Sequence, residues 1–146
     1  MIALLQRVKR ASIVIEKNRI ASIQRGLLVF IAINKEDSGE QIPKLVKRIL
    51  NFRIFPDENN KMNKSVLDET LDILIVPQFT LAADTSNGNR PGFSGAAEPI
   101  LSEKLFLEFI QCMSSEHEKI HCGVFGANMQ VSLINDGPVT FWLEVD

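Results

Sequence analysis

Apolar and polar positions alternate with period two at the start of the chain. After "IALLQRV", the segment "ASIVIE" sets Ala11, Ile13 and Ile15 against Ser12, Val14 and Glu16, the pattern of a half-buried strand. "RIASIQ" and "GLLVFIAI" follow, with Gly26 punctuating the turn between them. The second of these runs is apolar throughout and reads as a strand buried on both faces. The period then changes: Ile42, Leu45, Val46, Ile49 and Leu50 recur three and four residues apart, which predicts an amphipathic helix. Ser38 and Gln41 resemble a capping box, and Pro43 moves the expected start of the regular helix toward Gln41. "RIFPD" is short and β-like, "ENNKMNKSVLDET" is polar and loop-like, and "LDILIVP" is a strand that stops at Pro77. Residues 78–97 read mostly as loop, an uncommon length that often carries function. "EPILSEKLFLEFIQCMSSEH" is a second helix, with Pro99 in its first turn and a stripe of Leu101, Leu105, Phe109, Cys112 and Met113. The remainder returns to strands, and "NDGPVT" reads as a turn between two strand-like runs.

This order predicts an α+β fold: one sheet-rich domain over residues 1–146, with mostly antiparallel or mixed strands and two main helices. Regular βαβ alternation and a glycine-rich phosphate loop are both missing, which argues against dinucleotide and P-loop chemistry. The 146 residues are 45% hydrophobic and 23% charged, enough for a real core and too apolar for disorder. No apolar run approaches the roughly 20 residues that span a bilayer. "MIALLQRVKR" places its apolar patch before its basic residues, the reverse of a secretory signal. Two cysteines do not make a disulfide scaffold. These features predict a soluble cytoplasmic protein with no membrane partner.

The net charge of −2 conceals an asymmetry. Residues 1–64 hold thirteen Lys/Arg and six Asp/Glu, whereas residues 65–146 hold three and twelve. A basic half permits a phosphate-bearing partner without demanding one.

Several kinds of chemistry can be weighed from side chains alone. Cys112, His117, His121 and Cys122 are zinc-ligand types within eleven residues. Their spacing is poor, because Cys112 falls on the helix stripe and adjacent strand residues point to opposite faces; the expectation is no metal. Only two histidines are present and no nucleophile elbow, which disfavours a His-based triad. Asp57, Asp84 and Asp136 lie in loops or turns with nothing to pair them for glycoside chemistry. Two polar clusters remain, "PQFTLAAD" and "NDGPVT", each beginning where an apolar strand ends. Such strand-end turns are common, and their N–H groups are of the kind that stabilise an oxyanion.

At these clusters the sequence closely resembles the D-aminoacyl-tRNA deacylase family, which is marked by an "SQFTL"-like and an "NxGPxT" motif. Here they read "PQFTL" (Pro77–Leu81) and "NDGPVT" (Asn135–Thr140). The likeness extends to "MIALLQRVKRAS", "GLLVFIAI", "RIFPDENNKMN", "LAADTSNGNRPGFS" and "MQVSLINDGPVTFWLEV". It implies a homodimer with sheets near the interface and no cofactor. The implied activity is hydrolysis of the ester joining a D-amino acid, and also mischarged glycine, to tRNA. Chiral proofreading is then the work of a cis Gly137–Pro138 peptide whose carbonyls enter the partner's site and leave no room for an L side chain. Arg7 is implied as the support that orients those carbonyls, with Asn135 and Thr140 framing them. Gln78 and Phe79 are implied to line the reaction centre, their N–H groups being the oxyanion candidates. Thr80 matches a threonine sometimes given a nucleophilic role; no base in the sequence activates it, and assistance by the 2′-hydroxyl of the tRNA is the favoured route. Phe125 and Met129 are implied, by position, as walls for the terminal adenine. Pro77 departs from the family's usual serine, which leaves room for a second reading: a tRNA-binding module of the same fold without turnover.

Overall fold

A computed structural model describes residues 1–146. The strands are β1 (Ile2–Ile15), β2 (Asn18–Ile23), β3 (Gly26–Ala32), β4 (Phe55–Pro56), β5 (Met62–Lys64), β6 (Asp72–Pro77), β7 (Ile120–Cys122) and β8 (Gln130–Glu144). The helices are α1 (Gln41–Asn51) and α2 (Pro99–Glu116), with a 3-10 turn at Phe79–Ala82. Neither helix is long and apolar enough to cross a membrane.

β1 organises the sheet. It pairs antiparallel with β3 through Ile2–Val8 and with β2 through Ala11–Ile15, while β8 runs antiparallel along nearly its whole length. β3 pairs parallel with β6, and β6 parallel with β7. The sheet is therefore mixed, and it curls so that β2 comes near β6 and β7, giving an almost barrel-like shape. The runs "IALLQRV" and "ASIVIE" are one strand, because β8 pairs with both of them, with a register shift at the Val8–Arg10 step between.

Two apolar cores result. The larger lies between the helices and one sheet face. Leu27, Val29, Ile31, Ile73 and Ile75 meet Ile42, Leu45, Ile49, Leu105, Phe109 and Met113 there. The smaller sits inside the curl, where Val8, Ala11, Ile13, Ile23, Leu28, Leu74 and Val76 converge. β3 and β6 feed both cores with alternate residues, which accounts for the apolar runs Leu27–Ala32 and Ile73–Pro77. Each such side chain contributes roughly 1.5–3 kcal/mol by leaving water. α1 starts at Gln41, whose side chain accepts the Ser38 N–H at 2.9 Å, so half of the reciprocal capping pair forms. The buried carboxylate of Asp37 is satisfied by the Met1 amine at 2.6 Å and the Asn34 N–H at 2.6 Å.

The sequence reading of "NDGPVT" as a turn between strands is corrected here. β8 is one strand of 15 residues, and the motif is a bulge within it. Between the pairs Val8–Asn135 and Gln6–Thr140, β1 advances two positions and β8 advances five. The surplus residues are pushed out of the ladder. The segment read as polar loop also contains β5, which pairs with β4 in a small separate sheet.

Candidate active site

At the end of β6, Pro77 closes the strand and the N–H of Gln78 donates to the Ile31 carbonyl at 2.7 Å. The chain then winds into the 3-10 turn, where Leu81 N–H donates to Gln78 O at 3.2 Å and Ala83 N–H to Thr80 O at 3.2 Å. The N–H groups of Phe79 and Thr80 precede the first donor of this turn and have no acceptor within it. Gln78 was one of the two expected oxyanion donors. Its N–H is already committed to the Ile31 carbonyl of β3. The Gln78 side-chain amide donates to Thr80 Oγ1.

This strand end borders a cavity of about 450 Å³. Gln78 and Phe79 form one side of it, Phe125 and Met129 another, and Ala97, Pro99 and Ser102 at the start of α2 a third. Phe125 is steadied by Phe106, their ring centroids 6.1 Å apart. Met129 lies over Gly123, where an added Cβ would stand 2.6 Å from its sulfur, so the backbone there makes way for the thioether. Ser102 Oγ donates to the Ala97 carbonyl at 3.1 Å and is thereby satisfied. Phe79 also meets Phe93, their ring centroids 5.2 Å apart, and both residues are exposed. The loop carrying Phe93 is closed by paired backbone bonds between Asp84 and Gly92, at 2.7 and 2.9 Å. Ala97, Pro99 and Ser102 were not expected as part of a site; Pro99 directly after a long glycine-rich loop was the available signal.

None of the residues lining this cavity carries an ionisable side chain. The Thr80 hydroxyl is bonded to an amide, not to a base. Such a place can bind an apolar or aromatic group and offer N–H donors to developing negative charge. It provides no side chain for general acid–base catalysis.

The second group of expected residues gathers around the β8 bulge. Arg7 Nε lies 3.1 Å from the Asp136 carboxylate and donates to the Asp136 carbonyl at 3.2 Å, while Nη1 donates to the Ile54 carbonyl at 2.6 Å. Arg7 thus fixes the residue before the Gly-Pro pair, not the Gly137 or Pro138 carbonyl. Asn135 Nδ2 donates to the carbonyls of Arg7 and Val139, both at 3.0 Å. Gln6 Nε2 donates to Thr140 Oγ1 at 3.1 Å. The Gly137–Pro138 peptide is cis, and both residues are exposed. Neither they nor Arg7, Asn135 and Thr140 line the cavity. Within one chain the two groups stay apart.

The cysteines and histidines do not converge. His117 Nε2 is 2.7 Å from the Leu71 carbonyl and His121 Nε2 is 2.8 Å from Asp72 Oδ1. No cluster of three or more His, Cys, Asp or Glu side chains forms. Burial pushes the thiols of Cys112 and Cys122 up, away from the thiolate form.

The model of a protein family described as D-Tyr-tRNA(Tyr) deacylase matches residues 4–144. A D-aminoacyl-tRNA deacylase from Haemophilus influenzae (strain ATCC 51907 / DSM 11121 / KW20 / Rd) is 51% identical over 145 residues, covering 99% of this chain and 100% of that protein. One from Dichelobacter nodosus (strain VCS1703A) is 50% identical over the same length, with the same coverage. Among solved structures, one described as c-Myc DNA Unwinding Element Binding Protein has a TM-score of 0.96 at 40% identity, over 100% of this chain and 99% of that one. Another, described as a probable eukaryotic D-amino acid tRNA deacylase, has a TM-score of 0.88 over 99% and 98%; at 17% identity it speaks for the fold alone.

Proposed function

This chain belongs to the D-Tyr-tRNA(Tyr) deacylase family, and we propose that it hydrolyses the ester of D-aminoacyl-tRNA, releasing tRNA and the D-amino acid. The observation that carries the mechanism is the cavity without an ionisable group, bordered by the free N–H groups of the 3-10 turn. Ester hydrolysis there proceeds by positioning and oxyanion stabilisation. The terminal adenine enters between Phe125 and Met129. The ester carbonyl then approaches the N–H groups of Phe79 and Thr80, each such donor being worth about 10²–10³-fold in rate. In place of a protein base, the substrate's own 2′-hydroxyl, next to the ester on the same ribose, assists the attack of water, and the ribose 3′-oxygen leaves with a proton from that water. An internal group of this kind acts at an effective concentration that can reach about 10⁵ M or more.

Selectivity is assigned to the backbone. The exposed Gly137–Pro138 carbonyls of one subunit close the site of a second subunit in a homodimer, and they exclude an L side chain by shape. Exclusion is the right device, because two enantiomers offer identical groups and differ only in where they place them. Glycine, with no side chain, passes the same filter, so glycyl-tRNA is a second substrate. Pro77 costs the site little: the ladder continues through Gln78 N–H to Ile31, and Phe79 and Thr80 keep their donors.

The test is hydrolysis of D-tyrosyl-tRNA and L-tyrosyl-tRNA by the purified protein, repeated with tRNA ending in 2′-deoxyadenosine. Cleavage of the D form alone, and its loss on the deoxy substrate, is expected. Equal rates on both enantiomers, or none on the D form, overturns the reading. Full activity on the deoxy substrate overturns the role of the 2′-hydroxyl.

A further inference from the structure

Between residues 7 and 25 the chain carries six Lys/Arg and one Glu. Arg7 is tied to Asp136 and Arg25 to Glu69. Lys9, Arg10, Lys17 and Arg19 take part in none of the ion pairs of the structure. Four free cations on one hairpin are therefore available to an outside partner.

Two of them border a second cavity, of about 540 Å³, formed by β1, β2 and β8. Ser22 is paired with Ser12, and Ser12 with Ser132, so three serines stand in register across three neighbouring strands. Arg10, Arg19 and Gln24 flank this row, and no Asp or Glu lines the cavity. Two guanidinium forks, three hydroxyls and an amide form a donor-rich, cationic recess. That chemistry suits the tetrahedral oxygens of a phosphate, which arginine can engage with two parallel bonds.

Its position matters as much as its composition. Val131 lines the apolar cavity and the next residue, Ser132, lines the polar one. Adjacent strand residues point to opposite faces, so the two cavities open on the two sides of β8, whose second edge pairs with no strand. A chain of nucleotides whose last base occupies the first cavity brings its neighbouring phosphates to the second by passing round that free edge.

We propose that the Arg10–Arg19 cavity binds a backbone phosphate of the tRNA near its aminoacylated end. This rests on the reading of the substrate as tRNA. Such a contact sets affinity and register and leaves the chemical step alone. It also gives the basic N-terminal half of the chain a physical task that the apolar cavity does not use.

The experiment measures binding of uncharged tRNA between 50 and 200 mM salt (about the range over which phosphate contacts are read) for the wild type, R10A/R19A and R10K/R19K. Deacylation of D-aminoacyl-tRNA and of phosphate-free D-aminoacyl-adenosine is followed in parallel. R10A/R19A is expected to weaken tRNA binding about tenfold and to make the salt dependence shallower by roughly one phosphate contact. R10K/R19K, which keeps the charge but not the fork, falls between the two. Rates on the adenosine ester stay unchanged. Unaltered tRNA affinity and salt slope, or equal losses on both esters, overturns the proposal. So does a change of molecular mass by light scattering in the variants, which would assign this face to a contact between copies of the chain. A wild type that cleaves neither ester would sink the deacylase reading, while the binding arm would still decide the cavity.

Discussion

Arg7 and Asp136 face each other across the β1–β8 ladder, with Arg7 Nε 3.1 Å from a carboxylate oxygen and 3.2 Å from the backbone carbonyl of the same residue. The guanidinium also holds the Ile54 carbonyl, so one half-buried cation ties the bulge to the residue before β4. Removing it in Arg7→Ala leaves a carboxylate and two carbonyls without a donor. The expected cost is about 2–4 kcal/mol, read as a lower urea midpoint at unchanged slope. D-aminoacyl-tRNA cleavage should fall as well, because Asp136 directly precedes the Gly-Pro pair. Arg7→Lys should recover part of the stability through its charge and little of the geometry. Equal midpoints for Arg7→Ala and the wild type would remove Arg7 from this role.

Gly137 and Asn135 are coupled by contact. A Cβ on Gly137 would stand 2.3 Å from Asn135 Oδ1, and the Asn135 amide spans the bulge through two 3.0 Å bonds. Gly137→Ala must evict that side chain. The expected loss is about 1–3 kcal/mol from the stranded carbonyls. In the Asn135→Ala background the same change should cost markedly less, because the obstacle is gone. A double-mutant cycle measures this directly, and strictly additive costs would show that the collision is relieved elsewhere.

Gly123 governs the cavity through Met129. Gly123→Ala drives a methyl into the Met129 sulfur and toward Ile13. The flexible thioether yields by moving into the space assigned to the adenine. KM for D-aminoacyl-adenosine is expected to rise about fivefold, with kcat nearly unchanged, the signature of lost uniform binding. Gly123→Ala/Met129→Ala should regain part of the loss. A fall in kcat without a change in KM would contradict the assignment of this wall.

Acid weakens the surface loops in a definable window. The Asn63 side-chain amide and the Lys61 N–H hold Asp57 below the ordinary carboxylate range, and the Ser86 hydroxyl and N–H do the same for Asp84. A carboxylate with a depressed folded pKa binds its proton more weakly in the native state. Its contribution is complete above the unfolded value of about 3.9 and is lost as pH falls through the folded value. NMR titration should therefore find Asp84 titrating below that value. Asp84→Asn should flatten the acid limb of stability monitored by Trp142 fluorescence. Titration of Asp84 at or above an ordinary aspartate would refute the loop's hydrogen-bond pattern.

Much of the fold was legible in local pattern. Ile42 to Leu50 and Leu101 to Met113 have helical spacing because each helix buries one stripe, and both stripes reach the larger core. "GLLVFIAI" and the "ILIVP" of β6 are apolar throughout because they lie between two cores. The bulge was not legible. Asn-Asp-Gly-Pro has the composition of a hairpin turn, and the same residues are extruded from a continuous strand only because β1 offers fewer positions opposite them. Nor could a sequence reveal that Gln78 N–H is spent on Ile31, a residue 47 positions earlier. Polar row and charge run were visible as composition, but the alignment of Ser12, Ser22 and Ser132 depends on strand register.

By itself, then, the sequence determined which segments are strands and helices, which faces are buried, and, through "PQFTL" and "NDGPVT", the family likeness. Those are properties of neighbours in the chain, set by side-chain period and by turn chemistry. Tertiary structure decided which N–H groups remain free at the strand end, which carbonyl Arg7 holds, and that the cavity beside Phe79 contains no ionisable side chain. These depend on partners far apart in sequence. A hydrogen bond is satisfied, or a cavity shaped, by whatever the fold brings within a few ångströms.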